Sequence, residues 1–194
     1  MTLSAAYTDF VMAMERVEQR LRRVTRALDD AGIPYAVVGG NAVAAWVARV
    51  DPASTRTTQD VDLLVRRADL DRISVAISAL GYRRDDLRRL VLFVDPAEPS
   101  RRAGVHLVWA GEKVRPSYAH ATPDVTEAVR EPGAFAVLDL PALVRMKLTS
   151  LGDIDRVHIA DLLAVGLIDD RVRASLPADL LARLGEIERE REPD

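Results

Sequence analysis

The stretch "RTTQDVDLLV", residues 56–65, sets Asp60 and Asp62 one residue apart at the mouth of an apolar run. Residues two apart on a strand share a face, so both carboxylates point together while Val61 and Leu63 turn away. Two anions held that close repel unless a cation sits between them. A divalent ion is the natural partner. Magnesium takes oxygen ligands, binds one or two carboxylates, and fills its other positions with water and phosphate oxygens. A solvated strand start tolerates the same pair, so a bare D-x-D says little alone.

Two further features bear on it. Gly39 and Gly40 end the β-branched run "YAVVGG", where it gives way to the helical stretch "NAVAAWVARV" with Asn41 as a candidate N-cap. Backbone without side chains at such a turn lets a phosphate approach the amides and the helix N-terminus, although a tight turn alone also favours glycine. A glycine turn followed by an acid pair on the next strand would grip a triphosphate with one part and hold its bridging metal with the other. Downstream, Leu143, Lys147 and Leu151 are four apart and fall on one helix face. Lys147 and Lys113 are the only lysines among 27 basic residues. The ammonium could snorkel to water, but a phosphate partner would explain a fixed one. Asp161 interrupts the apolar "HIADLLAV", either as a core acid paired to an arginine or as a site residue.

The elements that must position these residues can be read from periodicity. Phe10, Met14, Val17, Leu21, Val24 and Leu28 form one helical stripe, expected to pack on the chain's own core, with a helix-pairing surface as the alternative. Gly32 and Pro34 stop that helix. Then come the strand before Gly39, a helix, the loop "DPASTRTTQ", the strand "DVDLLVRR", and the helix "ADLDRISVAISALG" closed by Gly81. "VLFVDP" and "GVHLVWAG" read as strands, "EKVRPSYAHATPD" as irregular, and "VTEAVRE" and "AFAVLDL" as short strands. From Pro141, which suits a first helical position, the chain turns helical. The expectation is an α/β (α+β) fold, a mixed sheet flanked by helices with a short C-terminal helical appendage. Residues 1–140 would form the core and 141–194 a helical segment packed on it.

"VVGGNAVAAW" followed by "RTTQDVDLLV" resembles the signature of the nucleotidyltransferase superfamily, with its DNA polymerase beta-like fold. Within it the chain is similar to AbiEii-type toxins and related small bacterial nucleotidyltransferases. The supporting segment is "LVRMKLTSLGDIDRVHIADLLAVGLI", a lysine-bearing helix and then an Asp-bearing one. The resemblance covers roughly residues 30 to 170. It implies that Gly39, Gly40 and Asn41 cradle the triphosphate, that Asp60 and Asp62 hold Mg2+, and that Lys147 contacts phosphate. Asp161, or else Asp155, would orient Lys147 or act near the acceptor. Arg56, Thr57 and Thr58 would line the nucleotide pocket.

Members of this superfamily often carry a third carboxylate on a later strand. Here "GVHLVWAG" should be that strand, and His106 stands in the position. An imidazole can act as a base near neutrality but is a poorer magnesium ligand than a carboxylate. Asp95 is a substitute by position. Glu112, Lys113 and Arg115 occupy a loop that could meet the acceptor or simply be solvated. The arginines of "YRRDDLRR" and "SRRAG" could touch an RNA backbone or form an ordinary mixed surface.

The bulk numbers exclude several classes. At 48% hydrophobic and 29% charged the chain can fold, and without cysteine it has no disulfides or thiolate metal sites. A net charge of -3 gives no global field for nucleic acid. No apolar run reaches membrane-spanning length, and the start "MTLSAAYTDFVMAMERVEQR" lacks a signal-peptide pattern, so a cytoplasmic protein is expected. The expected activity is transfer of an NMP from an NTP to a hydroxyl of a tRNA 3′ end or a protein, as one half of a toxin–antitoxin pair with a cognate antitoxin. The alternative, motivated by His106, is a nucleotide-binding protein of the same fold with weak or no turnover.

Overall fold

The computed structural model describes residues 3–88 and 90–191. The chain runs α1 (Leu3–Asp30), β1 (Tyr35–Val38), α2 (Gly39–Ala48), β2 (Val61–Val65), α3 (Leu70–Ser78), β3 (Arg83–Leu87), β4 (Leu90–Val94) and β5 (Val105–Trp109). It continues with β6 (Ala128–Val129), β7 (Val137–Leu138), α4 (Leu140–Ser150), α5 (Asp153–Ala164), α6 (Asp170–Ala174) and α7 (Ala178–Arg191). Seven strands form one sheet in the order β3-β4-β5-β2-β1-β7-β6. β2 pairs antiparallel with β1 and parallel with β5, and β1 pairs parallel with β7, so the sheet is mixed as expected.

The central strands are apolar because both their faces are covered. Ala36, Val37, Leu63, Leu64 and Val65 are wholly buried. Helix α2 packs on β1 and β2 and also meets α4 and α5, while α1 packs on α3 and β2. One continuous apolar cluster reaches from Val38 and Leu63 to Leu148, Ile159 and Leu184, so the C-terminal helices share the core of the sheet. Asp139 caps α4 by accepting from the Ala142 amide at 2.8 Å, with Pro141 in the first turn as its fixed φ favours. No described helix is long and apolar enough to cross a membrane.

Three details differ from the sequence expectation. The α1 stripe is only half committed: Leu21, Val24 and Leu28 are buried, while Phe10 and Met14 are 51% and 41% exposed. The amphipathic pattern continues past the point where the sheet ends. "RRDDL" within "YRRDDLRR" is an edge strand, β3, which hairpin pairing with β4 holds extended although its own residues favour neither sheet nor core; Arg89 of that run lies outside the described residues. Leu151, expected on the α4 face, instead ends the helix at φ 46°, a left-handed conformation that is uncommon without glycine.

Candidate active site

β1 passes straight into α2. Val38 is extended, and Gly39 follows at φ 66°. A β-carbon on Gly39 would lie 2.0 Å from Oδ2 of Asp62, and one on Gly40 would lie 3.0 Å from Cβ of Thr58. The two glycines therefore do a first job unrelated to any ligand: they leave room for the acid strand and its loop to close on the helix start. The start of α2 then lies directly against the Asp62 carboxylate.

Asn41 is not an N-cap, because α2 begins two residues earlier, at Gly39. Its amide instead donates to the carbonyl of Asp60 at 2.7 Å. Thr58 Oγ1 donates to Asp60 Oδ1 at 2.5 Å. The residue before the acids is held as well: Arg20, on α1 and 5% exposed, donates to the Gln59 carbonyl at 3.2 Å and pairs with Glu98 at 2.6 Å. The strand start is thus fixed by partners from α1, α2 and its own loop.

The parallel β2–β5 ladder sets His106 opposite Asp62. Nδ1 of His106 lies 3.4 Å from Oδ1 of Asp62 and 3.7 Å from Oδ2 of Asp60. Nε2 is 2.8 Å from the Arg101 carbonyl, a contact only an N–H can make favourable. That bond assigns the neutral ring a lone pair on Nδ1, aimed at the carboxylates. Without a metal the ring binds a second proton more readily than usual. Asp62 is the main cause, the Arg101 carbonyl and Asp60 add to it, and burial opposes. One donor atom from each of Asp60, Asp62 and His106 lies within 4.8 Å of the others. Two carboxylates and an imidazole lone pair at that spacing fit a divalent cation, and the nitrogen suits manganese or zinc better than magnesium. Asp95 is elsewhere: it forms a turn and accepts from the Ala97 amide at 2.9 Å.

Lys147 is 8% exposed, so it does not snorkel. Its ammonium donates to Asp155 Oδ1 at 2.8 Å, and Asp155 Oδ2 accepts from Ser150 Oγ at 2.6 Å and the Gly152 amide at 3.2 Å. Of the two acids offered as its partner, Asp155 makes the contact. Asp161 pairs with Arg56 at 2.6 Å, which ties the loop before the acids to α5. The left-handed turn at Leu151 is what folds α5 back so that Asp155 reaches Lys147. Gly39, Asp62, Lys147 and Asp155 line one cavity of 170 Å³, closed on its other side by Tyr118 and His120 of the 110–124 loop. Thr57 lies outside it and lines a cleft against Phe10 and Arg20 of α1.

Sequence reasoning missed Ser150, Tyr118 and His120. Nothing in their spacing marks them, since they reach the site through a turn and a long irregular loop. The base of that loop is clamped by the Thr122 amide to the Glu112 carbonyl at 2.9 Å and by Arg67 gripping Glu112 with two bonds of 2.8 and 2.7 Å. His120 is held by Asp179 of α7 at 2.8 Å.

The family model described as "Uncharacterised nucleotidyltransferase" matches residues 1–137, a span that includes both glycines, the acid pair and His106. Lys147, Asp155 and Asp161 follow it. Among solved structures, the antibiotic-resistance factor ANT(2'')-Ia in solution aligns with a TM-score of 0.56 at 19% identity, over 91% of this chain and 92% of that one. An antigenic nucleotidyltransferase-like protein from Paracoccidioides brasiliensis aligns with a TM-score of 0.59 at 16% identity, over 91% and 89%. At such identities the likeness speaks for the fold alone. Among curated proteins, none matches the sequence. Because the family model spans well over half of its length, the chain belongs to the family of uncharacterised nucleotidyltransferases.

Proposed function

We propose that the chain transfers a nucleoside monophosphate from an NTP to a hydroxyl of a macromolecular acceptor and releases pyrophosphate. The observation that carries this is the convergence of Asp60, Asp62 and His106 within 4.8 Å, with Asp62 and Lys147 lining one cavity at the start of α2. The acceptor oxygen bonds to the α-phosphorus, the bond from that phosphorus to the β-bridging oxygen breaks, and the hydroxyl proton leaves to a base. Asp60 and Asp62 are the metal-holding pair. A divalent cation bound there would neutralise charge on the triphosphate and the leaving group. Lys147 has three N–H groups, and one is spent on Asp155. The other two suit phosphate oxygens, and Asp155, itself fixed by Ser150 and Gly152, keeps the ammonium in place. His106 has one free lone pair, on Nδ1, and it serves either as the third donor to the cation or as the base for the acceptor hydroxyl, not as both. Gly39, Gly40 and Asn41 form the backbone turn facing the triphosphate, and Thr58 positions Asp60. Arg56 and Asp161 brace the loop.

The finer reading is an AbiEii-type toxin with a cytoplasmic cognate antitoxin, acting on a tRNA 3′ end or a protein. Its support is the lysine helix followed by the Asp-bearing helix, which the fold brings together as the Lys147–Asp155 pair. Incubation with each labelled NTP, Mg2+ or Mn2+, and total tRNA or whole-cell protein should give labelled acceptor, and Asp60→Ala should abolish it. No label above the Asp60→Ala background in any combination would overturn the transfer reading. A second reading, a nucleotide-binding protein without turnover, is favoured by the imidazole at the third ligand position. Calorimetry would then give NTP binding that depends on Asp60 and Asp62 with no pyrophosphate formed, and Asp62-dependent pyrophosphate would exclude it.

A further inference from the structure

The cavity holding Asp62 and Lys147 does not end at the loop. Val108 and Val114 line it, and the same two residues line a second, larger cleft of 400 Å³. The two spaces therefore adjoin through one pair of valines. The strand register accounts for the continuity. Val108 lies two residues beyond His106 on β5, on the same face, and Leu90 lies two residues from Leu92, which pairs with His106. The face that carries the acids at one end is apolar at the other.

The rim of the second cleft is cationic. Arg67, Arg88 and Lys113 border it, with Glu112 as the acid between them. Arg67 is committed: it grips Glu112 with two hydrogen bonds, and its guanidinium lies 4.3 Å from the centre of the Trp109 ring. Arg88 and Lys113 are exposed and have no ion-pair partner among the described residues. Arg88 and Lys113 thus leave two uncommitted cations beside the apolar floor of one cleft, in a chain whose net charge is -3. An apolar floor accepts a flat base, and uncommitted cations accept phosphate without first breaking an internal pair.

We propose that this cleft holds the acceptor, and that the acceptor is a nucleotide: a base on the floor formed by Leu90, Val108 and Val114, with its phosphate between Arg88 and Lys113 and its free hydroxyl directed past Val108 toward Asp62. The inference rests on the transfer reading for the direction of the hydroxyl but not for the binding itself. The same chemistry is offered by a free nucleotide and by the 3′ end of an RNA strand. A polycationic acceptor is disfavoured by the same charges.

The test is equilibrium binding of the full chain, without NTP or metal, to a fluorescent ten-nucleotide single-stranded RNA with a free 3′ hydroxyl. The charge-reversed variant Arg88→Glu/Lys113→Glu should bind about tenfold or more weakly, and the slope of log affinity against log salt should fall by about 1.4, two contacts at about 0.7 each. Competition by AMP as effective as the RNA, with the same dependence on both cations, assigns the site to a free nucleotide; competition by RNA alone assigns it to a strand end. Polyglutamate competing as well as RNA would overturn the nucleotide assignment. No RNA binding at low salt, or binding untouched in the double variant with an unchanged melting temperature, would overturn the site. Binding that follows these expectations while no label is ever transferred would leave the cleft standing and sink only the turnover reading.

Discussion

His106 and Asp62 face each other across the β2–β5 ladder, with Nδ1 of the ring 3.4 Å from Oδ1 of the carboxylate and Nε2 tied to the Arg101 carbonyl. In the metal-free protein Nδ1 is the nitrogen that takes up a second proton, on the side facing both carboxylates. The folded ring holds that proton more tightly than an ordinary histidine, chiefly because of Asp62. A base with a raised folded value contributes stability that is fully present below its unfolded value, near 6.5, and is lost as pH climbs through the folded value. With metal removed by chelation, thermal stability should therefore decline as pH rises from 6.5 through the folded value, and His106→Asn should flatten that decline. The melting shift produced by Mn2+ should grow over the same window, since the ion no longer competes with a proton. A metal-induced shift independent of pH would separate His106 from the metal.

Gly39 should be intolerant of any side chain. A β-carbon there meets Asp62 Oδ2 at 2.0 Å and φ is 66°, so Gly39→Ala combines backbone strain with eviction of a carboxylate. Gly32 is the internal control, with φ 61° and nothing within 4 Å of its β-carbon. Denaturant unfolding should show Gly32→Ala costing about 1 kcal/mol, the backbone term alone, and Gly39→Ala either costing clearly more or weakening Mn2+ affinity at least tenfold. Equal, mild effects at both positions would mean that Asp62 does not occupy that space.

The contrast between these two glycines also marks what the sequence could disclose. The glycine turn, the acid pair and the strand that bears His106 are local patterns, and the fold joins them by simple strand pairing. The partner of Lys147 was readable only as a choice between Asp155 and Asp161, because a two-residue loop, a left-handed Leu151 and then Gly152, decides which turn of α5 faces α4. The strand at Arg83–Leu87 was hidden, since its residues are charged and its conformation comes from the β4 edge beside it. Tyr118 and His120 approach the cavity from an irregular loop whose path is set by Thr122, Arg67 and Asp179, three distant contacts with no periodicity to follow.

Lys147 and Asp155 form a pair with side chains 10% and 13% exposed at 2.8 Å. Removing one partner leaves the other charge buried, which costs about 3–5 kcal/mol, whereas removing both leaves none. Lys147→Met and Asp155→Leu should each destabilise strongly, and the double variant should cost less than their sum by at least about 1 kcal/mol. Urea titration of the four proteins measures this coupling. Additive costs would mean that the ammonium is not held by Asp155. The transfer assay separates roles: if the ammonium also meets phosphate, the double variant regains stability but not NTP affinity.

The donor set at Asp60, Asp62 and His106 should discriminate among ions. Nitrogen in place of a third carboxylate favours manganese over magnesium. Mn2+ should bind more tightly than Mg2+ by calorimetry, and His106→Asp should narrow the difference by strengthening Mg2+ affinity. If His106→Asp leaves the ratio unchanged, His106 is not a ligand.

His158, on the face of α5 between Asp155 and Asp161, gives a pH dependence of the opposite sign from His106. It is 8% exposed, and its Nδ1 is buried without a hydrogen-bond partner. Burial first and the Lys147 ammonium second push its value down to about 4, so the folded ring is neutral. A base with a depressed folded value leaves stability whole above its unfolded value of 6.5 and erodes it as pH falls from 6.5 toward 4, because the unfolded chain takes up the proton first. By pH 5 the loss attributable to this ring is about 2 kcal/mol, at 1.36 kcal/mol per unit. The carboxylates titrate in this range too, and His106 works in the other direction, so the total slope alone cannot isolate it. His158→Gln, which does not titrate, removes this contribution and leaves the others. The difference in unfolding free energy between wild type and His158→Gln should therefore shift by about 2 kcal/mol toward the variant between pH 7 and pH 5. Parallel curves would show that His158 takes up a proton in the folded protein as easily as in the unfolded chain, and hence that the Lys147 side of the cavity is wetter than its burial indicates.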